Sequence, residues 1–438
     1  MNGCLRFWAM PGLIAVVLAI AVSSRGQAEE STAAHPATHA ATTSTPVPVP
    51  EPSAKALAYY QSGNVWWSVY QVWELALPAV ILLTGFSARL RTWAQRIGRK
   101  WFFVLALYYA FYVLVTFLVT LPLDYYAGFV RQHSFGLSTQ TLGKWLTDSL
   151  KGLAIGIVFG GLVLWVPYLL LAKSPRRWWL YTGLLSLPLM ILGMLVFPIW
   201  IAPLFNDFGP MKDKPLEREI LALADRVNIE GSRVFEVNKS VDTKAMNAYV
   251  AGLGHSKRIV LWDTLVHKLD HEEVLAVVAH EMGHYVLGHV VQGILLGFLS
   301  VLLSLYVVYR LAGWLIERNK GRFGFDHLGD VASLPLVLLL VQVLSLAIMP
   351  AVNAYSRHME READRFSLEL TENNHAAASA FAKLQTENLS NPRPGLFYML
   401  WRGSHPSLAS RIEFANTYRP WLEGQPLRYG EYFRPAGK

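Results

Sequence analysis

Residues 268–289 read KLDHEEVLAVVAHEMGHYVLGH, and this stretch indicates the function of the chain most directly. It contains a His-Glu-x-x-His pattern at His280, Glu281 and His284. On an α-helix, residues four apart lie about 40° apart around the axis, so both imidazoles leave one face and can share one metal ion. Glu281 follows the first histidine and can reach a water at the ion without binding the ion itself. The pattern is typical of a zinc peptidase.

The flanking residues favour a helix through this stretch. Asp270 is a suitable N-cap, and Glu273 stands three residues later, which completes the sequence pattern of a capping box. Residues 274–279 are apolar and include neither Gly nor Pro. His289 is excluded as a third ligand, because nine residues beyond His280 it lies about 180° around a continuous helix. The alternative interpretation is a helix with two ordinary surface histidines.

The composition indicates an integral membrane protein. Hydrophobic residues make up 53% of the chain and charged residues only 16%, and long apolar runs recur. The net charge of +8 does not indicate nucleic-acid binding, because the Lys and Arg residues cluster beside the apolar runs. The single cysteine, Cys4, excludes a disulfide framework and a cysteine zinc site. We therefore expect membrane lipid and a peptide or protein substrate as partners, and no nucleic acid.

The apolar runs predict a polytopic α-helical membrane protein with six or seven transmembrane helices. The predicted spans are residues 65–86, 101–123, 152–171, 179–201, 290–316 and 331–352, each near the ~20 residues that cross a bilayer. The predicted organisation is a signal peptide or first membrane helix (1–28), a Thr/Ala/Pro-rich linker (29–64), membrane helices (65–201), the first part of a catalytic domain (202–289), the last two membrane helices (290–352) and the second part of the catalytic domain (353–438).

Basic residues in alternate loops predict the orientation in the membrane. They are Arg89, Arg91, Arg96, Arg99 and Lys100, then Lys173, Arg176 and Arg177, then Arg318, Lys320 and Arg322. The positive-inside rule assigns these loops to the cytoplasm, so both parts of the catalytic domain lie on the opposite side. A cleaved signal would deliver the mature N-terminus to that same side. We expect an integral protein of a bacterial inner membrane with a periplasmic active site.

A zinc peptidase needs a third protein ligand and an open position. The stretch NAYSRHMEREADRF, residues 353–366, follows the last predicted span. Glu360 and Asp364 are four apart and share a helical face, whereas Glu362 points about 160° away from Glu360. We therefore assign Glu360 to the metal and Asp364 to a hydrogen bond with a ligating imidazole, which fixes its tautomer. An exposed charged helix is the alternative.

Several stretches in a fixed order resemble the type I CAAX prenyl endopeptidase family, membrane zinc peptidases of the gluzincin group that are also related to HtpX-type proteases. The matching stretches are FGLSTQT (135–141), IAPLFN (201–206), NAYVAGLGHSKRIVLWDTL (247–265), HEMGH (280–284), NAYSRHMEREAD (353–364) and SHPSLASRIEF (404–414). They span most of the chain, and together they are far more specific than the His-Glu-x-x-His pattern alone.

The resemblance implies a helix-rich, zincin-like catalytic domain with a small β-sheet, one zinc ion and further site residues. Asn247, Ala248 and Tyr249 match the family's strand at the sheet edge, where a peptide substrate binds. Independently, residues 246–250 and 258–262 are strand-like runs around a Gly-rich turn. His405 matches the family's donor to the oxyanion, and Arg411 is expected to orient its helix or the site.

These features predict a zinc-dependent membrane endopeptidase that resembles CAAX prenyl proteases. One alternative is an HtpX-type quality-control protease that degrades damaged membrane proteins. A second is a non-proteolytic channel or transporter with a structural zinc, for which ionisable residues inside spans would argue, and Glu74 is the clear case.

Overall fold

Long helices dominate the part of the chain that the computed structural model describes, residues 45–229, 231–252 and 257–434. The helices are α1 (Ala54–Leu83), α2 (Phe86–Gly98), α3 (Trp101–Asp124), α4 (Leu142–Lys173), α5 (Trp178–Val196), α6 (Lys214–Arg226), α7 (Asp263–Val266), α8 (His271–Val286), α9 (His289–Phe323), α10 (Leu334–Thr371), α11 (Asn374–Glu387), α12 (Leu396–Trp401) and α13 (Leu408–Thr417). The predicted signal segment, residues 1–28, lies outside the described residues.

Six helical stretches of the described residues are long and apolar enough to cross a membrane: Ala54–Leu83, Trp101–Ser134, Leu142–Lys173, Trp178–Leu204, His289–Phe323 and Val331–Thr371. Two of them continue α3 and α5 through π-helical turns, Tyr125–Val130 and Phe197–Ile201, and the first of these turns leads into a single α-helical turn, Arg131–Ser134. Large apolar side chains such as Leu162, Leu192 and Leu299 are more than half exposed along these helices, as expected of surfaces that face lipid. The prediction of a polytopic α-helical membrane protein is confirmed.

The prediction that the linker extends to residue 64 is wrong for residues 54–64, which form the start of α1. The side chain of Ser53 accepts a hydrogen bond from the backbone N–H of Ala56 and caps the helix there. Tyr60 then packs against Tyr398 of α12, with ring centroids 5.5 Å apart. Hydropathy does not predict this first part of α1, because a cap and tertiary contacts stabilise it and no apolar run marks it.

A small mixed sheet lies in the stretch between the fourth and fifth long apolar helices. Its strands are β1 (Phe208–Pro210), β2 (Arg233–Val237), β3 (Ala248–Ala251) and β4 (Arg258–Trp262), in the order β1-β2-β4-β3. The strand β4 pairs in parallel with β2 and antiparallel with β3, with Ala248 opposite Leu261. The described part of the chain thus leaves β3 at one edge of the sheet, and β3 contacts α8.

The helix α8 begins as its sequence predicts. The Asp270 side chain accepts from the N–H of Glu273, and the Glu273 side chain accepts from the N–H of Asp270. The Glu273 carboxylate is buried and also binds Ser379 and Lys383 of α11 at 2.6 Å each. The capping box therefore starts the helix and also ties it to α11.

The helices α8 and α10 pack closely at Gly283. A Cβ atom on Gly283 would lie 3.1–3.2 Å from side-chain atoms of Phe366, which is fully buried. The helix α10 is continuous, so the last membrane span and the predicted Glu360 helix are one element. Gly283 thereby allows the two helices to approach closely enough to share a site.

We predict that Gly283→Val destabilises the protein by about 1–3 kcal/mol, because the added methyl groups overpack the contact with Phe366. Its matched control is Gly313→Val, since a Cβ at Gly313 of α9 meets nothing within 4 Å. Thermal unfolding of both variants in the same detergent is the measurement. Equal losses in the two variants would contradict the importance of this contact.

Candidate metal centre and active site

The helix α8 presents His280 and His284 side by side, as their spacing predicts. Their Nε2 atoms are 3.1 Å apart. His280 is almost fully buried, with 6% of the residue exposed, whereas His284 is partly exposed. The two imidazoles therefore converge on one point.

The third group of the cluster is the Glu360 carboxylate from α10. Its Oε2 lies 3.2 Å from His280 Nε2, and its Oε1 lies 3.4 Å from His284 Nε2. The Oε2 atom is buried and makes no hydrogen bond with the described residues. Two imidazole nitrogens and a carboxylate oxygen are the ligand set of a catalytic zinc site, and a metal ion would satisfy the unpaired oxygen. The residues therefore fit a metal ion.

The carboxylate of Asp364 lies behind His280 and is held by the guanidinium of Arg411. The Nδ1 atom of His280 lies 2.8 Å from Asp364 Oδ1, and Arg411 holds both Asp364 oxygens through Nη2 (2.6 Å) and Nε (2.9 Å). This hydrogen bond leaves His280 Nε2 free to face the cluster. Burial lowers the pKa of His280, but the Asp364 and Glu360 carboxylates outweigh burial and raise that pKa to about 10. A bound metal must therefore displace this proton, so metal binding weakens at low pH.

His289, which its position in the sequence excluded as a third metal ligand, lies behind His284. Gly288, with φ of +83°, ends α8 and starts α9 in a new direction, so the assumption of one continuous helix fails here. The Nδ1 atom of His289 then lies 2.9 Å from Nδ1 of His284. On the far side, its Nε2 lies 3.4 Å from Glu362. His289 thus supports His284, with the Glu362 carboxylate near its other nitrogen, and Gly288 is the sequence signal for this arrangement.

Glu281 lies between the two histidines on α8 and is partly buried. Burial raises the pKa of its carboxylate, and the nearby His280 and His284 partly oppose that rise. A carboxylate whose pKa is raised is a better proton acceptor at neutral pH than an exposed one. Its position beside the metal cluster suits proton transfer rather than metal binding.

The remaining predicted site residues lie around the cluster. The Nε2 atom of His405 is 3.2 Å from Glu360 Oε1, and 57% of the His405 side chain is exposed, so its ring lies beside the cluster without being packed in. Asn247 immediately precedes β3, and its backbone oxygen accepts from Trp262 at 3.1 Å. Ala248 is buried, and burial raises the pKa of the Tyr249 hydroxyl to about 12, so this phenol is neutral. The strand β3 contacts α8, so the sheet edge adjoins the helix that bears the histidines.

The two histidines of a His-Glu-x-x-His helix meet a glutamate from a membrane helix. This arrangement defines a metallopeptidase of the membrane-embedded class. Peptidase family M48 matches residues 210–419, and the family described as CAAX prenyl protease N-terminal, five membrane helices, matches residues 49–207. The chain therefore belongs to peptidase family M48 and is a membrane metallo-endopeptidase. The sequence-based resemblance to CAAX prenyl endopeptidases is confirmed.

Known proteins resemble this chain over most of its length. "Uncharacterized metalloprotease YhfN" of Bacillus subtilis is 41% identical over 77% of this chain and 79% of its own. "CAAX prenyl protease 1" of Saccharomyces cerevisiae is 33% identical over 67% of this chain and 68% of its own. The crystal structure of S. mikatae Ste24p matches with a TM-score of 0.72 and 28% identity, covering 82% of this chain and 87% of that one. The membrane and catalytic parts thus occur together in these relatives.

We predict that His289→Phe lowers the affinity for Zn²⁺ by about 10–100-fold, because the substitution removes the hydrogen bond that orients His284. The matched control is His358→Phe, since His358 also contacts Glu362, at 3.6 Å, but is 60% exposed. Chelator competition with the purified variants measures the affinity. An unchanged affinity in His289→Phe would mean that His284 needs no such support.

Proposed function

We propose that this protein is a zinc-dependent endopeptidase in which His280, His284 and Glu360 hold the metal. The observation that carries the proposal is the convergence of His280 Nε2, His284 Nε2 and the Glu360 carboxylate, with all ligand atoms within 4.8 Å of one another. Zinc, when bound, polarises the scissile carbonyl and makes water a nucleophile near neutral pH. The alternative of a channel with a structural zinc is disfavoured by the family to which the chain belongs.

Glu281 is the general base and then the general acid. Its carboxylate accepts a proton from the attacking water and delivers it to the amine that leaves the cleaved bond. Asp364 and Arg411 keep the His280 ring oriented while this happens. These assignments are supported by the raised pKa of Glu281 and by the paired hydrogen bonds between Arg411 and Asp364.

His405 supplies a hydrogen bond to the oxyanion that develops on the scissile carbonyl. Its ring nitrogen Nε2 points towards the metal cluster, and its Nδ1 lies 2.9 Å from the hydroxyl of Ser404. If Ser404 donates to Nδ1, the proton resides on Nε2, where the oxyanion would form. A donor aimed at a developing charge stabilises the transition state more than the substrate.

Asn247, Ala248 and Tyr249 bind the substrate backbone. A strand at a sheet edge offers backbone N–H and C=O groups to an extended peptide, whatever the peptide's side chains. The contact between β3 and α8 supports this role, because a peptide added to β3 would lie along the histidine helix. This mode of binding suits an endopeptidase that accepts varied sequences.

We predict that Glu281→Gln retains zinc but lowers kcat by at least about 10²-fold, because the amide cannot carry the proton. Glu413→Gln is the matched control, since Glu413 lies on the exposed face of α13, with 60% of its side chain exposed. Zinc content and turnover are measured on the same sample. Loss of zinc from Glu281→Gln, or turnover close to that of the unaltered protein, would overturn the assignment.

We further propose that the active site faces the periplasm of a bacterial inner membrane. Two of the long apolar helices separate each basic loop from the next, so these loops share one side and the catalytic parts share the other. Residues 45–53 also support the proposal, since the backbone N–H of Val47 donates to Oδ1 of Asn416 at 3.0 Å and the backbone oxygen of Val47 accepts from Nδ2 of Asn416 at 2.8 Å. The segment that precedes α1 therefore lies with the catalytic domain, as a translocated N-terminus requires.

We predict the sidedness from single cysteines introduced into a Cys4→Ser background. Gln425→Cys and Arg176→Cys both replace exposed residues, one near the C-terminus and one between α4 and α5. In intact spheroplasts, a membrane-impermeant maleimide should label Gln425→Cys but not Arg176→Cys, because the positive-inside rule retains the basic loop. Detergent lysis should expose both cysteines. Labelling of Arg176→Cys alone in intact spheroplasts would reverse the topology.

The substrate is, on this proposal, a peptide or unfolded protein outside the cytoplasm. Several relatives are named CAAX prenyl proteases, but prenylated C-a-a-X proteins are made in a eukaryotic cytosol. An HtpX-type quality-control activity differs from trimming of specific ends in the breadth of its cleavage sites. Cleavage of a peptide library, together with proteomic comparison of membranes carrying unaltered and Glu281→Gln enzyme, separates the two.

A further inference from the structure

The segment that precedes α1, residues 45–52, has no regular secondary structure, yet it packs against the helices of the catalytic centre. The valines Val47 and Val49 are half-buried, whereas the intervening prolines Pro46 and Pro48 are exposed. This alternation is expected of an extended chain that packs on one side. Each valine precedes a proline, which restricts its backbone to extended conformations, so less conformational entropy is lost on docking. We call residues 45–52 the strap.

Polar side chains of α11 and α13 hold the strap by its backbone. Asn416 of α13 accepts from the N–H of Val47 at 3.0 Å and donates to the backbone oxygen of Val47 at 2.8 Å. Gln385 of α11 donates to the backbone oxygen of Pro50 at 2.7 Å, and only 2% of this glutamine is exposed. A buried amide is costly to leave without a partner. The surface formed by α11 and α13 is therefore complementary to the strap in its polar groups.

The two valines of the strap cover a buried apolar cluster that joins four helices. They pack against Ala276 of α8, Leu368 of α10, Ala376, Ala377, Ala378 and Phe381 of α11, and Ile412 and Ala415 of α13. Ala276 lies about one helical turn before His280, and Leu368 lies about one turn after Asp364. The strap thus packs on the cluster that sets the spacing of the helices around the metal centre.

The same cluster borders the ion pair that supports His280. The guanidinium of Arg411 lies 4.1 Å from the ring centre of Phe381 and binds both oxygens of Asp364. Arg411 is only 9% exposed, and an ion pair is strongest where water is excluded. The helix α13, which carries Arg411, is only ten residues long, so its position depends on its neighbours rather than on its own stability.

We propose that the strap is a positioning element for the metal centre. Its docking fixes α13, and α13 in turn holds Asp364 against His280 through Arg411. The inference rests on the proposed zinc peptidase function. The strap contributes no metal ligand, so its loss should disturb the orientation of His280 and leave the set of ligands unchanged. Undocking should therefore weaken zinc binding and catalysis, whereas a purely structural contact would affect unfolding alone.

The test places the same charge at two neighbouring positions of the strap in the full-length enzyme. Val47→Asp puts a carboxylate against the apolar cluster, whereas Pro48→Asp, the matched control, puts it on the exposed side. We expect Val47→Asp to lower the affinity for Zn²⁺ by about 10–100-fold, as measured by chelator competition, and to lower kcat at saturating zinc. Pro48→Asp should leave both quantities unchanged. Val47→Ile keeps an apolar side chain and should retain the affinity.

Asn416→Leu tests the other side of the contact, because it removes both hydrogen bonds to Val47 at nearly constant volume. It should lower the affinity for zinc in the same direction. Thermal unfolding of the zinc-free variants reports whether each is folded, and Asn416→Leu becomes the deciding variant if Val47→Asp does not fold. Unchanged zinc affinity in the deciding variant, or an equal loss in Pro48→Asp, would overturn the positioning role. Failure of the unaltered enzyme to bind zinc or to cleave peptides would instead overturn the proposed function.

Discussion

The close approach of α8 and α10 is the constraint on which the rest of the structure depends. Gly283 has no side chain, and Phe366 fills the space beside it. Because the helices touch at this point, a glutamate that is far away in sequence reaches two histidines that are one helical turn apart. Two further contacts hold these helices in place: Glu273 ties α8 to α11, and Arg411 ties α13 to Asp364 of α10.

The two ligating imidazoles have unlike support. His280 is backed by a carboxylate that a guanidinium neutralises in part, whereas His284 is backed by another imidazole, His289. A carboxylate strongly favours a proton on the facing nitrogen, while an imidazole accepts a hydrogen bond only in one of its tautomers. The orientation of His284 therefore depends on the tautomer of His289, which Glu362 favours by facing its Nε2.

Local patterns in the sequence predicted much of the fold and of the site. The cap at Asp270, the spacing of His280 and His284, and the shared face of Glu360 and Asp364 each depend on periodicity within one helix, so they could be read directly. The strand 258–262 was predicted with the bounds that β4 has. The family resemblance added the roles of His405 and of Asn247, Ala248 and Tyr249 in substrate binding, which no local pattern would give.

Other features depend on contacts between distant segments and could not be read. Gly288 redirects the chain and brings His289 back to His284, although the helical count placed it on the opposite face. The start of α1 is stabilised by a serine cap and by Tyr398, neither of which affects hydropathy. The guanidinium groups of Arg131 and Arg402 both lie beside Gly63, although more than half of the chain separates these two arginines in sequence.

The length of the continuous helix α10 also determines how far Glu360 lies from the membrane. From Leu334 to Glu360 it rises by about 39 Å at 1.5 Å per residue, whereas the hydrocarbon core of a bilayer is about 30 Å thick. With Leu334 at the opposite edge of the apolar layer, Glu360 therefore stands about 9 Å above that layer if the helix runs along the membrane normal, and lower if it tilts. The thickness of the surrounding bilayer thus sets the height at which a bond can be cut.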